Sequence, residues 1–192
     1  MKISISGPAA AGKTYFVRHA TGLDKVLESA RIIHKHYPLL AENNLEKFRK
    51  LVFHLHIYKE QQYLRNVVFD RGVIDNLTFM LLGGTEYEAK KKEIISLYQT
   101  NKLKPYDIVF YFDVEPVPSF LLQKALQDPL RKKTINVENY ANHVEEFKKA
   151  FLSVAKDLKL DDKLIILRAK TTKKEYTKRN EKVLEILKEK RV

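Results

Sequence analysis

Near the start of the chain, Gly7-Pro8-Ala9-Ala10-Ala11-Gly12-Lys13-Thr14 follows the pattern G-x-x-x-x-G-K-[ST] at every fixed position. Each position has a use in holding a chain of phosphates. Glycines and small residues let backbone N–H groups curl around a β-phosphate, and a helix opening at the end of the loop adds the positive end of its dipole. Lys13 can then reach β- and γ-phosphates, while the Thr14 hydroxyl can ligate magnesium. ATP and Mg²⁺ are the cofactors this cradle implies. The reaction stays open, because switches, motors, ATPases and kinases all need the same cradle.

Two further groupings could supply chemistry. In Val67-Val68-Phe69-Asp70-Arg71-Gly72-Val73-Ile74-Asp75, an apolar run delivers an acid and a guanidinium to its end. Asp70 could hold magnesium, through water, and Arg71 could neutralise charge on a transferring phosphoryl group. The bland alternative is an Asp-Arg pair capping the next helix. In Val26-Leu27-Glu28-Ser29-Ala30-Arg31, Glu28 could act as general base toward an acceptor hydroxyl, with Arg31 nearby to orient it or to bind an anion. Here the bland reading is a dipole-favoured residue at a helix start.

The elements that must position these residues can be read from periodicity. Lys2–Ser6 has the β-branched Ile3 and Ile5, Gly7 and Pro8 punctuate, and a helical pattern begins at Gly12. Asp24–Leu27 reads as a short strand before a helix from Glu28 toward Tyr37, stopped by Pro38. Asn44–Arg65 reads as one long helix and Asn66–Phe69 as a buried strand ending at Asp70. Helices follow over Val73–Leu82 and Glu86–Tyr98, then a strand over Asp107–Val114, closed by Pro116 and Pro118. The remainder reads as a helix over Glu138–Leu158, a strand over Lys163–Leu167 and a helix over Lys173–Lys190. Strands separated by helical stretches mean βαβ units. The expected fold class is therefore α/β, in three layers, with a five-stranded parallel sheet covered on both faces. Residues 1–192 are expected to form a single domain.

The phosphate loop, Glu28-x-Ala30-Arg31 and Asp70-Arg71-Gly72 with Asp75 resemble the P-loop nucleoside and nucleotide kinases, above all the ribosylnicotinamide kinase-like ATPase family and the deoxynucleoside kinases. The resemblance spans roughly residues 1–135. It implies Glu28 as the base, with Asp70 and Arg71 beside the phosphates. Thymidylate kinases are a weaker match, through Asp70-Arg71 and through Tyr106–Val114, which is similar to their fourth strand. Their phosphate loop usually carries an acid where this chain has Ala9 or Ala10, which turns the expectation toward a nucleoside-type acceptor. Such kinases close a mobile lid over ATP. The basic segment within residues 127–136, with Leu130-Arg131-Lys132-Lys133, is expected to be that lid, and Arg131 to bring charge to the γ-phosphate; an ordinary solvated turn is its rival.

Composition narrows the setting. The 192 residues include no Cys, so a disulfide framework and thiol chemistry are excluded. The expectation is an unprocessed cytoplasmic protein without a membrane span. A net charge of +12 keeps a kinase or ATPase acting on nucleic-acid ends in view, but the cations are spread and mixed with acids, as in Lys173–Arg191. Nucleic acid is therefore not the favoured partner; ATP and a small acceptor are. A regulatory ATPase or binding module is the rival from another class, and a monophosphate kinase the rival within kinases. A homodimer through the long helices is an arrangement many such kinases use, and nothing in the sequence specifies it. His34/His36 and His54/His56 sit at i,i+2, which splays the rings apart on a helix, so they are expected to be structural or surface residues. Phe48, Phe53, Tyr58, Tyr63, Phe79 and Tyr111 are open to two readings, a base-binding wall or core.

Overall fold

The computed structural model describes residues 1–84, 86–115, 122–123, 126–127, 137–170 and 172–190. Five strands form one all-parallel sheet: β1 (Lys2–Ser6), β2 (Asp24–Val26), β3 (Val67–Asp70), β4 (Ile108–Val114) and β5 (Leu164–Ala169), in the order β2-β3-β1-β4-β5. Around it lie α1 (Lys13–His19), α2 (Ser29–His36), α3 (Leu40–Asn43), α4 (Leu45–Gln62), α5 (Val73–Gly83), α6 (Tyr87–Gln99), α7 (Tyr140–Asp157) and α8 (Lys173–Glu189). The expected elements are all present, displaced by a few residues at their ends. Among the described residues the additions are α3, a single turn after Pro38, and a 3₁₀ turn over Asp161–Lys163. Pro38 does end α2, but the chain re-forms one helical turn before Asn44 caps α4 by accepting from the Lys47 backbone N–H at 2.9 Å.

Both faces of the sheet are covered, and the strands show it residue by residue. Val67, Phe69, Val109 and Tyr111 point into a core shared with α4, α5, α6 and α7. Val68, Ile108, Phe110 and Phe112 point the other way, onto α1 and α8. Each such side chain, fully buried, contributes roughly 1.5–3 kcal/mol. The full coverage also buries all of β1, including Lys2, Ser4 and Ser6. Among the described residues no helix is long and apolar enough to cross a membrane.

Strand order decides where chemistry can occur. The chain leaves β1 toward β2 and β3 on one side, then crosses to β4 on the other, so the crevice opens at the carboxyl ends of β1, β3 and β4. Register places Ile5 opposite Asp70 and Ser6 opposite Tyr111. The loop after β1 and the Asp-Arg pair after β3 are therefore neighbours.

A buried polar chain fixes this edge from beneath. Lys2 and Glu60 form an ion pair at 2.9 Å with both side chains fully buried, joining β1 to α4. Lys2 Nζ also donates to the Lys104 carbonyl, at 2.6 Å. Glu60 accepts from the Val73 backbone N–H at 2.8 Å and from the Tyr106 hydroxyl, so a carboxylate satisfies the first N–H of α5. Gly72 is what makes room for this: a Cβ there would lie 2.0 Å from the Tyr106 hydroxyl oxygen. His56, also buried, contacts Asn76 of α5, which is the structural role expected for it.

Replacing Glu60 by Gln keeps a hydrogen-bond acceptor for Val73 and strands the Lys2 ammonium without a counter-charge. Glu60→Gln should lose about 3–5 kcal/mol of stability in urea unfolding. Adding Lys2→Met should restore a substantial part of that loss; strictly additive losses would exclude the coupling.

Candidate active site

The loop between β1 and α1 takes a conformation few side chains allow. Gly7 has φ 134°, and a Cβ on it would lie 2.6 Å from the Phe112 carbonyl oxygen of β4, so nothing larger than glycine fits. Ala10 and Gly12 follow in the left-handed region, at φ 57° and 81°. Strain at a non-glycine residue there is typical of a backbone shaped for binding. Lys13, the first residue of α1, is buried and donates to the Pro8 carbonyl at 2.5 Å. Burial and the Arg71 charge pull its pKa down to about 7, against Asp70, Glu28 and Asp75, which raise it.

Asp70 ends β3 beside this loop, 1% exposed. Neither of its carboxylate oxygens is held by a well-formed hydrogen bond. Burial, then the Glu28 charge, raises its pKa, with Lys13, Thr14 and Arg71 acting in opposition. A buried carboxylate with only a loose contact to a hydroxyl and a lysine nearby is a donor set that suits a hard cation. No group of three His, Cys, Asp or Glu that could hold a metal unaided occurs among the described residues. Thr14 and Asp70 therefore suit magnesium only together with phosphate oxygens.

Arg71 lies at φ 67°, a left-handed conformation that turns its side chain back over the loop. Its Nε donates to Glu28 at 2.9 Å, and its Nη1 donates to the Gly7 carbonyl and to Asp75, each at 3.1 Å. The guanidinium lies 5.1 Å from the Phe79 ring centroid and 5.7 Å from that of Phe147. Burial pulls its pKa down, but Glu28, Asp75 and Asp70 outweigh burial and the net shift is upward.

Glu28 precedes α2 at the N-cap position, yet its side chain makes no capping bond. It accepts instead from Arg71 and, at 3.3 Å, from Arg31. Lys59 of α4 donates to the Leu27 carbonyl at 3.0 Å, which ties the segment carrying Glu28 to the long helix. Glu28, Arg31, Asp70 and Arg71 are thus brought to one crevice with the loop. Arg131 and residues 128–136 of the expected lid lie outside the described residues.

Asp75 is a member of the site that the sequence displays without a role. Fully buried, it accepts from the Ser6 hydroxyl at 2.7 Å and the Gly72 backbone N–H at 3.1 Å, besides Arg71. Its place four residues after Arg71, in the first turn of α5, was the available signal. The aromatic residues divide. Phe53 is core, Tyr58 and Tyr63 are exposed, and Phe79 lies against Arg71. Tyr111 is fully buried with no partner for its hydroxyl; burial, then Asp113 and Asp75, pushes its pKa up. His143 of α7 is half-buried, and burial and then Arg71 lower its pKa.

No protein-family model matches the chain, and no curated protein matches it by sequence. Solved structures do match in fold. The chain is similar to deoxyadenosine kinase from M. mycoides with products dCMP and dCDP bound, at 19% identity over 98% of this chain and 99% of that one, with a TM-score of 0.62. It is similar to thymidylate kinase from Candida albicans, at 15% identity over 98% of this chain and 91% of that one, with a TM-score of 0.63. It is also similar to the NadR protein in complex with NR, at 16% identity over 86% of this chain and 45% of that one, with a TM-score of 0.59. The fold is that of the P-loop nucleoside and nucleotide kinases, as the sequence resemblance implies.

The lowered pKa of Lys13 has a consequence for the nucleotide-free chain. An unfolded lysine titrates near ~10.4. Between about pH 7 and that value the unfolded chain binds the extra proton, so stability rises with pH across the window. Below about pH 7 both states are charged and the full cost of burying the ammonium is present. Relative to Lys13→Met, the wild-type chain should gain stability steadily from about pH 7 to pH 10 in urea unfolding; a flat difference would place the Lys13 titration elsewhere.

Proposed function

We propose that the chain is an ATP- and magnesium-dependent kinase that transfers the γ-phosphoryl group of ATP to a hydroxyl of a small, nucleoside-like acceptor. The observation that carries this reading is the junction at Arg71. One guanidinium holds Glu28 and the Gly7 carbonyl of the phosphate loop together, so a carboxylate is fixed at a set place beside the cradle. The regulatory-ATPase reading takes Glu28 as merely a helix cap, and Glu28 makes no capping bond.

In the proposed reaction the acceptor oxygen forms a bond to the γ-phosphorus while the bond from phosphorus to the β,γ-bridging oxygen breaks. The acceptor proton passes to the Glu28 carboxylate, and ADP leaves. Arg71 and Arg31 orient the carboxylate, and Arg71 adds positive charge where the phosphoryl group passes. Lys13 exchanges the Pro8 carbonyl for phosphate oxygens. Thr14 and Asp70 are the residues that would hold magnesium, which supplies charge neutralisation across the β- and γ-phosphates. Arg131, on the expected lid, is proposed to add charge on closure. Rate enhancement in such a site comes from positioning and electrostatics.

A nucleoside-type acceptor is favoured over a monophosphate because Ala9 and Ala10 leave the loop without the acid that thymidylate kinases usually carry there. The test is ADP release from ATP and magnesium against a panel of nucleosides, nucleoside monophosphates, nicotinamide riboside and a 5′-hydroxyl oligonucleotide. One small acceptor should stimulate turnover strongly. With that acceptor, Glu28→Gln should cut the rate about 10²–10⁴-fold while ADP affinity stays within about twofold. Turnover that ignores every acceptor and survives Glu28→Gln would favour the regulatory ATPase.

A further inference from the structure

A loop whose N–H groups turn inward to a phosphate must turn its carbonyls outward, and here it does so in a buried setting: Ala10 and Ala11 are 6% and 0% exposed. Buried carbonyls need donors. Four side chains from separate parts of the chain supply them, one to each of four carbonyls. Arg71 takes Gly7 and Lys13 takes Pro8, as described. The Tyr140 hydroxyl, at the start of α7, donates to the Ala9 carbonyl at 3.0 Å. Arg179 Nη2, on α8, donates to the Ala11 carbonyl at 2.8 Å.

The last of these is the least expected. The stretch Lys173–Lys190 is basic and mixed with acids, and its other cations do lie on or near the surface, but Arg179 is only 4% exposed. Its guanidinium lies 3.7 Å from the Phe112 ring centroid and 4.8 Å from that of Tyr176. Among the described residues, its Nε and Nη1 find no hydrogen-bond partner. Burying a charge with donors unmet is costly, and a Met or Leu would pack α8 onto Phe112 without that cost. Among the described residues, the hydrogen bond that the guanidinium makes is with the loop. Phe112 completes the arrangement: its carbonyl lies against Gly7 and its ring lies under Arg179. Burial lowers the Arg179 pKa to about 9, which leaves the guanidinium charged at neutral pH.

We propose that Arg179 is a positioning residue for the nucleotide's β-phosphate, acting through the Ala11 carbonyl to hold the loop's N–H groups inward, and that Tyr140 does the same at Ala9. This rests on the reading of residues 7–14 as a nucleotide cradle. Lys13 and Arg71 change partners or carry charge during turnover in that reading, whereas Tyr140 and Arg179 meet the loop through its carbonyls and serve as fixed struts. They come from the C-terminal part of the chain, so α7 and α8 become part of the phosphate site without touching the nucleotide. A purely structural Arg179 would affect every ligand and the folded state alike. A strut for the cradle instead discriminates by the β-phosphate.

The experiment measures dissociation constants for ADP and for AMP, which lacks the β-phosphate, by competition against a fluorescent ATP analogue, together with melting temperature. Arg179→Met should weaken ADP about tenfold and leave AMP within about twofold. Arg179→Lys should recover part of the ADP affinity, because an ammonium keeps one charged donor near Ala11. Tyr140→Phe, which removes only the hydroxyl, should shift ADP in the same direction by a few-fold. Arg179→Met that folds and binds ADP like the wild type would overturn the proposal, as would equal losses for ADP and AMP. Should Arg179→Met not fold, an unchanged ADP affinity in Tyr140→Phe would overturn it. A wild-type chain that binds no ADP would refute the nucleotide cradle itself, an outcome distinct from either of these.

Discussion

A guanidinium is a planar fork with more donors than one partner can use, and the site of this chain is organised around that property. Arg71 reaches the segment after β2 at Glu28, the loop after β1 at Gly7 and the first turn of α5 at Asp75. A lysine could supply the charge but could not hold three acceptors in fixed directions. The price is a left-handed backbone at φ 67°. That conformation persists because its surroundings determine it: the Arg71 N–H is bound to the Ile5 carbonyl, and the side chain lies against Phe79 and Phe147.

What holds Arg71 in place lies below it. The chain Lys2–Glu60–Val73 N–H runs from the start of β1 through α4 to the head of α5, two residues from Arg71. Ser6 and the Gly72 N–H fix Asp75 in the same way, so the acid that orients the guanidinium is itself oriented. Buried ion pairs are a poor source of net stability, because desolvation offsets most of the attraction. They do select one arrangement over others. Here that selection sets the angle at which α5 leaves the sheet, and hence where Arg71 and Glu28 stand relative to the phosphate loop.

Most of the fold was legible because periodicity and punctuation carry it. Alternating faces in Asp107–Val114 and the long spacing in Asn44–Arg65 both reappear as elements, and Glu28, Asp70 and Arg71 meet where strand ends must meet. The hidden parts share one cause: they are long-range contacts of polar residues. Lys2 and Glu60 look like surface charges until two-sided burial of β1 is known. Arg179 sits in a basic stretch that reads as a solvated face, and only the packing of α8 on Phe112 reveals the exception. Asp75 stands in plain view beside Arg71, but Ser6 as its partner depends on sheet register.

The net charge of +12 raises the question of whether this positive excess, or local geometry, attracts the phosphates. On the surface many cations are matched: Lys50 with Glu46 and Glu86, Lys91 with Glu88 and Asp157, Lys90 with Glu93. Such pairs contribute little to stability, and salt screens them. Among the described residues of the site, Lys13, Arg31 and Arg71 stand against Glu28, Asp70 and Asp75, with Arg179 behind the loop, so most of the positive charge there is offset by acids. In the proposed reading, such a crevice would not hold triphosphate by net charge alone. Specific attraction in the proposed reading comes from oriented N–H groups, from the α1 dipole and from a cation brought with the nucleotide. Carbonyls held away from the cradle by Arg71, Tyr140 and Arg179 are, in that reading, what makes the site discriminate, because an unclamped loop of the same composition would be free to present its oxygens to the phosphates.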